Sequence, residues 1–230
     1  MSTHPSQKPL NYFRVAWQSA LAAGLCLGFP AGLVLWLILF RELTHSAVIE
    51  KYIALLPTNG LSSIFILALC SLLWSFLLGR VSGYRAWWKI GLASVMGIFV
   101  GWFSPLSNLD GWFGDRLPVH TLYAVAMSGI IGSVTVCVGL AYGLILRNMR
   151  AALSLALTSS AASILGLLLT IMLFDQFGIR VGTGNFAMSK VTVAGLLISA
   201  ILGGMGLGVQ FSRFVQDERR RLSVQDTENK

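Results

Sequence analysis

The run AALSLALTSSAASILGLLLTIML, Ala151 to Leu173, decides how the chain is read. It holds about 23 residues without a charge, and at a rise of about 1.5 Å per residue that length crosses a hydrocarbon core of about 30 Å. Its small and hydroxylic residues are not scattered. Ala152, Ala156, Ser159, Ser163, Gly166 and Thr170 recur at alternating spacings of four and three, which lays them along one seam of a helix. Leu153, Leu157, Ile164, Leu168 and Ile171 are turned largely away from that seam. Lipid tails are as apolar as leucine, so helices in a bilayer are held together by close packing rather than by escape from water. The run therefore predicts a transmembrane helix that offers its seam to neighbouring helices.

The other apolar runs carry the same device. Gly24, Gly28 and Gly32 form a doubled Gly-x-x-x-Gly pattern, Gly97 and Gly101 repeat it, Gly132 and Gly139 follow with Ser128, Thr135 and Gly143, and Gly195 and Gly203 flank Ser199. These glycines are read as helix-packing positions. Pro30 cannot donate to the Cys26 carbonyl, so the first helix should kink there. Together the runs predict an all-α polytopic membrane protein with six transmembrane helices, at about 14–40, 60–79, 88–105, 119–146, 151–173 and 191–211. They make up one transmembrane domain over 12–211, between a disordered N-terminal tail, 1–11, and a basic cytoplasmic tail, 212–230, expected as a short helical extension that frays. An amphipathic interfacial helix is expected from Val48 to Leu56. The first run is too long for a cleaved signal peptide and should act as a signal anchor.

Composition agrees with this class. Hydrophobic residues make up 55% of the 230 and charged ones 11%, against about 25% charged in soluble domains. The net charge of +8 would suggest nucleic acid in a soluble protein, but the basic residues flank the apolar runs. Anionic lipid headgroups at the cytoplasmic face are the expected partner instead, with no nucleic acid. Arg80, Arg85 and Lys89 alternate with Trp87 and Trp88, and Arg219, Arg220 and Arg221 follow the last run. These are the expected headgroup anchors. With the N-terminus inside, twelve of the 17 basic residues fall on the inner side. That bias places both termini in the cytoplasm and requires an even number of spans, in a plasma or bacterial inner membrane.

The available chemistry is narrow. All 9 acidic and 17 basic residues lie outside the runs or at their edges, so proton-driven transport and voltage sensing lack the buried ionisable group they use. Sodium coupling through carbonyls and hydroxyls stays open. His4, His45 and His120 have no His-Glu-x-x-His spacing and no serine facing them at depth, so no enzyme is expected. Gly182-Thr183-Gly184-Asn185 lacks the Gly-Lys-Ser/Thr ending of a phosphate loop. Cys26, Cys70 and Cys137 show no Cys-x-x-Cys spacing. With Met96 and Met127 they offer a soft Cu(I) site or, as small apolar residues, plain packing; the latter is preferred, and neither metal nor cofactor is expected.

Two readings of the hydroxyls in Ala151 to Leu173 remain open. They bond back to carbonyls of their own helix, or Thr158, Ser159, Ser160 and Ser163, with Ser199 of the last run, line a niche for an uncharged solute or lipid headgroup. The corresponding functions are a permease or substrate-binding component for a small uncharged solute or lipid, and a non-catalytic structural or assembly subunit that meets a membrane-protein partner or a second copy. In size and topology alone the first resembles the substrate-binding membrane subunits of energy-coupling-factor transporters. That resemblance rests on no residue motif and carries no site over.

Overall fold

The computed structural model describes residues 11–30, 32–33, 60–108, 119–177 and 185–228, and among these there is no strand. Helix α1, Tyr12–Ala23, starts where the Asn11 side chain accepts the Arg14 N–H at 3.0 Å, an N-cap that satisfies one of the free amides of the first turn. It runs into a π-helical turn, Gly24–Gly28, where the Phe29 N–H reaches back to the Gly24 carbonyl. Just before Pro30, where a kink was expected, the helix takes a wide turn that accommodates one residue more than an α-turn. Helix α2 is Gly60–Ser82, α3 Trp87–Trp102, α4 Val119–Ile145, α5 Met149–Gln176 and α6 Asn185–Glu228, with a short 3-10 turn at Pro105–Asn108. Asn148 caps α5 by accepting the Ala151 N–H at 3.2 Å. The abrupt turn before it belongs to the end of α4, where Arg147 is the one non-glycine among the described residues with positive φ, at 49°, and the Asn148 N–H reaches back to the Gly143 carbonyl at 3.2 Å.

The helices form a closed ring. Neighbours in sequence are neighbours in space from α2 through α3, α4 and α5 to α6, and α1 packs against both α6 and α2 to close it. Short connections such as Arg147 to Asn148 leave α4 and α5 no arrangement but antiparallel contact. All six seam residues of α5 are buried, whereas Leu153, Leu157, Leu165, Leu168, Leu169 and Leu173 are exposed. Along α1 and the π turn that follows it, the exposed stripe Phe13, Trp17, Leu21, Leu25 and Phe29 advances by four. Large apolar side chains outside and serines inside invert the pattern of a water-soluble bundle. Ile164 and Ile171, expected to face away, are instead drawn into contact with the Gly132 position and with Val191.

Three helices are long and apolar enough to cross a membrane over the described residues: Ala124–Ile145, Met149–Gln176 and Lys190–Leu222. Helix α3 has 16 residues, just short of the about 17 to 25 that span a bilayer. The largest departure from expectation is α6, which continues unbroken for 44 residues where a fraying tail was expected from position 212. Its extension is held by packing: Phe211, Ser212 and Val215 are buried, and Phe211 lies edge-on to both Tyr84 and Tyr142 at 5.5 to 5.7 Å between ring centres. Arg219 donates to the Gly83 carbonyl, in the turn between α2 and α3 where Gly83 takes φ +71°. The interfacial helix expected at 48–56 lies outside the described residues, as does the disordered tail expected at 1–11 except for Asn11, which is ordered as the N-cap of α1.

Candidate functional site: a central cavity

The glycine positions set how near the helices come, and so where space is left. A Cβ at Gly143 would stand 2.0 Å from the Ala152 Cα, and one at Gly139 would stand 2.5 Å from the Ala156 nitrogen, so α4 and α5 touch backbone to backbone. Gly97 and Gly101 bring α3 equally close to Val138 and Val134 of α4. There Ser133 donates to the Gly101 carbonyl across the interface at 2.8 Å. Gly24 and Gly28 seat against Ile201, Leu197 and Ala200 of α6, and Gly32 seats against Val193. Gly203 receives the Ser163 hydroxyl, since a Cβ there would lie 2.0 Å from Ser163 Oγ. Gly195 and Gly132 are looser, their nearest neighbours being the tips of Leu167 and Ile164 at 2.9 and 3.3 Å.

Contacts this close on the rim leave a cavity of about 170 Å³ at the middle of the ring, to which α2 to α6 and the π turn contribute. From α2 it takes Ser71 and Trp74, from α3 Ser94, Ile98 and Trp102, and from the π turn Leu27. Helix α4 supplies Ile130, Val134 and Thr135, α5 supplies Ser159 and Ser163, and α6 supplies Leu196, Ser199 and Gly203. The cavity runs from the level of Trp74 and Ser94 to Trp102, the last residue of α3. No charged side chain borders it.

Most of its hydroxyls have spent their protons. Ser71 donates to the Ala68 carbonyl at 2.6 Å, Thr135 to that of Ile131 at 2.7 Å and Ser94 to that of Ile90 at 2.8 Å. Ser159 donates to the Thr135 carbonyl on α4 at 3.1 Å, so it joins two helices rather than only its own. Beneath the cavity the Trp74 indole N–H donates to the Tyr142 hydroxyl at 3.1 Å, and that hydroxyl meets Ser94 Oγ at 2.5 Å. Tyr142 is thereby tied to α2 and α3 from α4. Two lining residues stand apart: Ser163, whose Oγ sits over Gly203, and Ser199, which is 2% exposed and whose Oγ is buried without a hydrogen-bond partner.

Of the five niche residues expected from sequence, the structure brings Ser159, Ser163 and Ser199 to the cavity. Thr158 lies elsewhere: its methyl is 3.2 Å from a Cβ built at Gly206, along the α5–α6 seam and away from the lining. Ser160 faces Gly132 of α4, outside the cavity. A helix turns 100° per residue, so Thr158 and Ser160 flank Ser159 on opposite shoulders and meet different neighbours. Trp74, Trp102 and Thr135 were not read as niche residues. Thr135 stood in the small seam of α4, whereas the two tryptophans belong to no such seam, and which helices converge depends on ring order.

At the cytoplasmic end expected for the headgroup anchors, Arg80, Arg85, Trp87, Trp88, Lys89, Arg219, Arg220 and Arg221 are all exposed. Arg80 sits over the Phe76 ring at 5.3 Å, Lys89 over the Trp88 ring at 5.6 Å, and Trp87 is edge-on to Phe76 at 5.4 Å. Burial, with the Glu218 carboxylate nearby, pushes the Tyr84 phenol above its ordinary value near 10. Cys26, Cys70 and Cys137 are free thiols, and among the described residues no three of His, Cys, Asp and Glu gather as metal ligands would. No family model matches the chain, and neither a curated protein nor a solved structure does.

Proposed function

We propose that the chain is a multi-pass membrane protein whose six helices all cross a plasma or bacterial inner membrane, with both termini cytoplasmic. On this reading it serves as a permease or substrate-binding component for a small uncharged solute. The observation that carries it is the uncharged cavity walled by α2 to α6 and the π turn and bordered by Ser159, Ser163 and Ser199. Ligand sites in bundles are concave, mostly apolar and carry a few convergent polar groups, and this cavity has that character. Charge-free walls favour a neutral solute, because an ion there would have nothing to offset the loss of its hydration.

The test is purification in mild detergent followed by native mass spectrometry, compared with a variant whose cavity is filled by Ile130→Trp. A small molecule released by the wild type and missing from the filled variant supports solute handling. Its absence from both, in protein that is folded, removes the reading. A second reading, a structural or assembly subunit, draws on the exposed stripe Phe13, Trp17, Leu21, Leu25 and Phe29 along α1 and the π turn, which suits either lipid or a partner helix. The same spectra decide between them, since a protein retained stoichiometrically in place of a small molecule favours the subunit.

A further inference from the structure

We propose that the groove between the α4–α5 turn and the extension of α6 binds the headgroup of phosphatidylethanolamine, a phospholipid that carries both a phosphate and a primary ammonium. The inference rests on the membrane-spanning reading above, for α4, α5 and α6 alone, and is independent of what the central cavity holds.

The groove has a volume of about 720 Å³. Its floor is apolar: Leu146 is buried, and the half-buried Phe214 packs on the core of the bundle. Around that floor Arg147 and Arg150 come from the turn, and Asp217, Glu218 and Arg221 from α6. Spacings of three and four put Phe214, Asp217, Glu218 and Arg221 on one face of α6. The unbroken run of that helix past position 212 is therefore what supplies the second wall. Among the described residues no ion pair closes between these arginines and these carboxylates, so both signs of charge stay open to a ligand.

That mixture selects the headgroup. Guanidinium groups meet phosphate oxygens with paired donors, and basic pockets between membrane helices take up lipid phosphates. A purely anionic headgroup such as phosphatidylglycerol would set its phosphate beside two carboxylates and offer them no cation. The ammonium of phosphatidylethanolamine, one ethylene link from its phosphate, gives N–H donors to Asp217 and Glu218. The trimethylated ammonium of phosphatidylcholine has no N–H to give. The acyl chains have a path as well. Met149 borders the groove and begins the series Met149, Leu153 and Leu157, which are 67%, 53% and 69% exposed at intervals of four residues. They continue the groove as an apolar strip of about 12 Å down the outer face of α5. A phospholipid covers both parts, whereas a water-borne phosphate would leave the strip bare.

The test mixes the full wild-type chain with one variant at a time, so that both meet the same lipid. Native mass spectrometry then reads the binding of phosphatidylethanolamine, phosphatidylglycerol and phosphatidylcholine of equal chain length. Wild type is expected to hold phosphatidylethanolamine about fivefold more tightly than the other two, the magnitude of two partly screened charge pairs. Asp217→Asn with Glu218→Gln should abolish its preference over phosphatidylglycerol, and Arg147→Gln with Arg150→Gln should weaken its binding by a similar factor. Arg14→Gln with Arg213→Gln, an equal loss of charge at exposed positions outside the groove, should leave the preference unchanged. Equal affinity for the three lipids, or tighter binding of phosphatidylglycerol, overturns the headgroup assignment. A preference that survives both groove variants overturns the location. A protein held in place of lipid, and lost with the groove arginines, overturns the proposal in favour of a protein contact. Thiol labelling of positions 147 and 176 separates the two levels: opposite faces with no lipid preference removes this inference alone, and a single face removes the membrane reading beneath it.

Discussion

Replacing Tyr142 with phenylalanine removes one oxygen at the point where α2, α3 and α4 are tied together. Ser94 commits its own proton to the Ile90 carbonyl at 2.8 Å, so the phenol donates to Ser94 Oγ at 2.5 Å and accepts from Trp74 Nε1 at 3.1 Å. Tyr142 is fully buried and Trp74 is 3% exposed. The substitution therefore deletes two interhelical bonds and leaves one indole N–H with no partner. For a water-soluble protein such an orphan alone would cost about 1 to 3 kcal/mol. In a membrane the unfolded chain also finds partners, and interhelical bonds measured there average about 0.6 kcal/mol with a ceiling near 1.7. Two bonds and one orphan then put Tyr142→Phe at about 1.5 kcal/mol of destabilisation. Trp74→Phe in the same protein loses ring area as well as the bond, so the double-mutant cycle isolates a coupling of about 1 kcal/mol. Reversible unfolding in mixed micelles, followed by circular dichroism, measures all four corners. A Tyr142→Phe protein within about 0.3 kcal/mol of wild type, or strictly additive effects of the two substitutions, would refute the network.

The remaining predictions concern packing, pH and topology. Gly143→Ala should lower stability by about 1 to 3 kcal/mol, because its Cβ would collide with the α5 backbone at Ala152 Cα, whereas Gly132→Ala, facing only the flexible tip of Ile164 at 3.3 Å, should be close to neutral; thermal unfolding in detergent ranks them. Tyr84 has its phenol raised above the usual value by burial and by Glu218, so its neutral form stabilises the folded protein at and below pH values near the ordinary one. That contribution is lost as pH rises through the raised value, and the protein should melt lower in strongly alkaline buffer, with Tyr84→Phe blunting the decline. Cysteines placed at Arg147 and at Gln176, at the two ends of the α5 region, should react with an impermeant thiol reagent from opposite faces of the membrane, on a background in which Cys26, Cys70 and Cys137 are replaced. Labelling from a single face would remove the transmembrane assignment of α5.

Helix existence and the inward face of α5 were readable in one dimension. A charge-free run fixes a helix through its own length, and the four-and-three spacing of Ala152, Ala156, Ser159, Ser163, Gly166 and Thr170 fixes which side is small, so their burial follows from local geometry alone. The end of α6 was not readable, because Arg219 to Arg221 look like a solvated tail until Phe211 and Val215 are seen seated on the bundle.

The amino-acid sequence by itself determined the helical class, the charge-free interior and the small seams, each a property of residues near one another along the chain. Which seams meet is decided by the closure of α1 onto both α6 and α2, contacts between residues far apart in sequence. Only that closure brings Trp74, Trp102, Ser163 and Ser199 around one space while turning Thr158 and Ser160 aside. Helical periodicity assigns each residue an angle on its own helix. The identity of the neighbour at that angle is a property of the assembled ring.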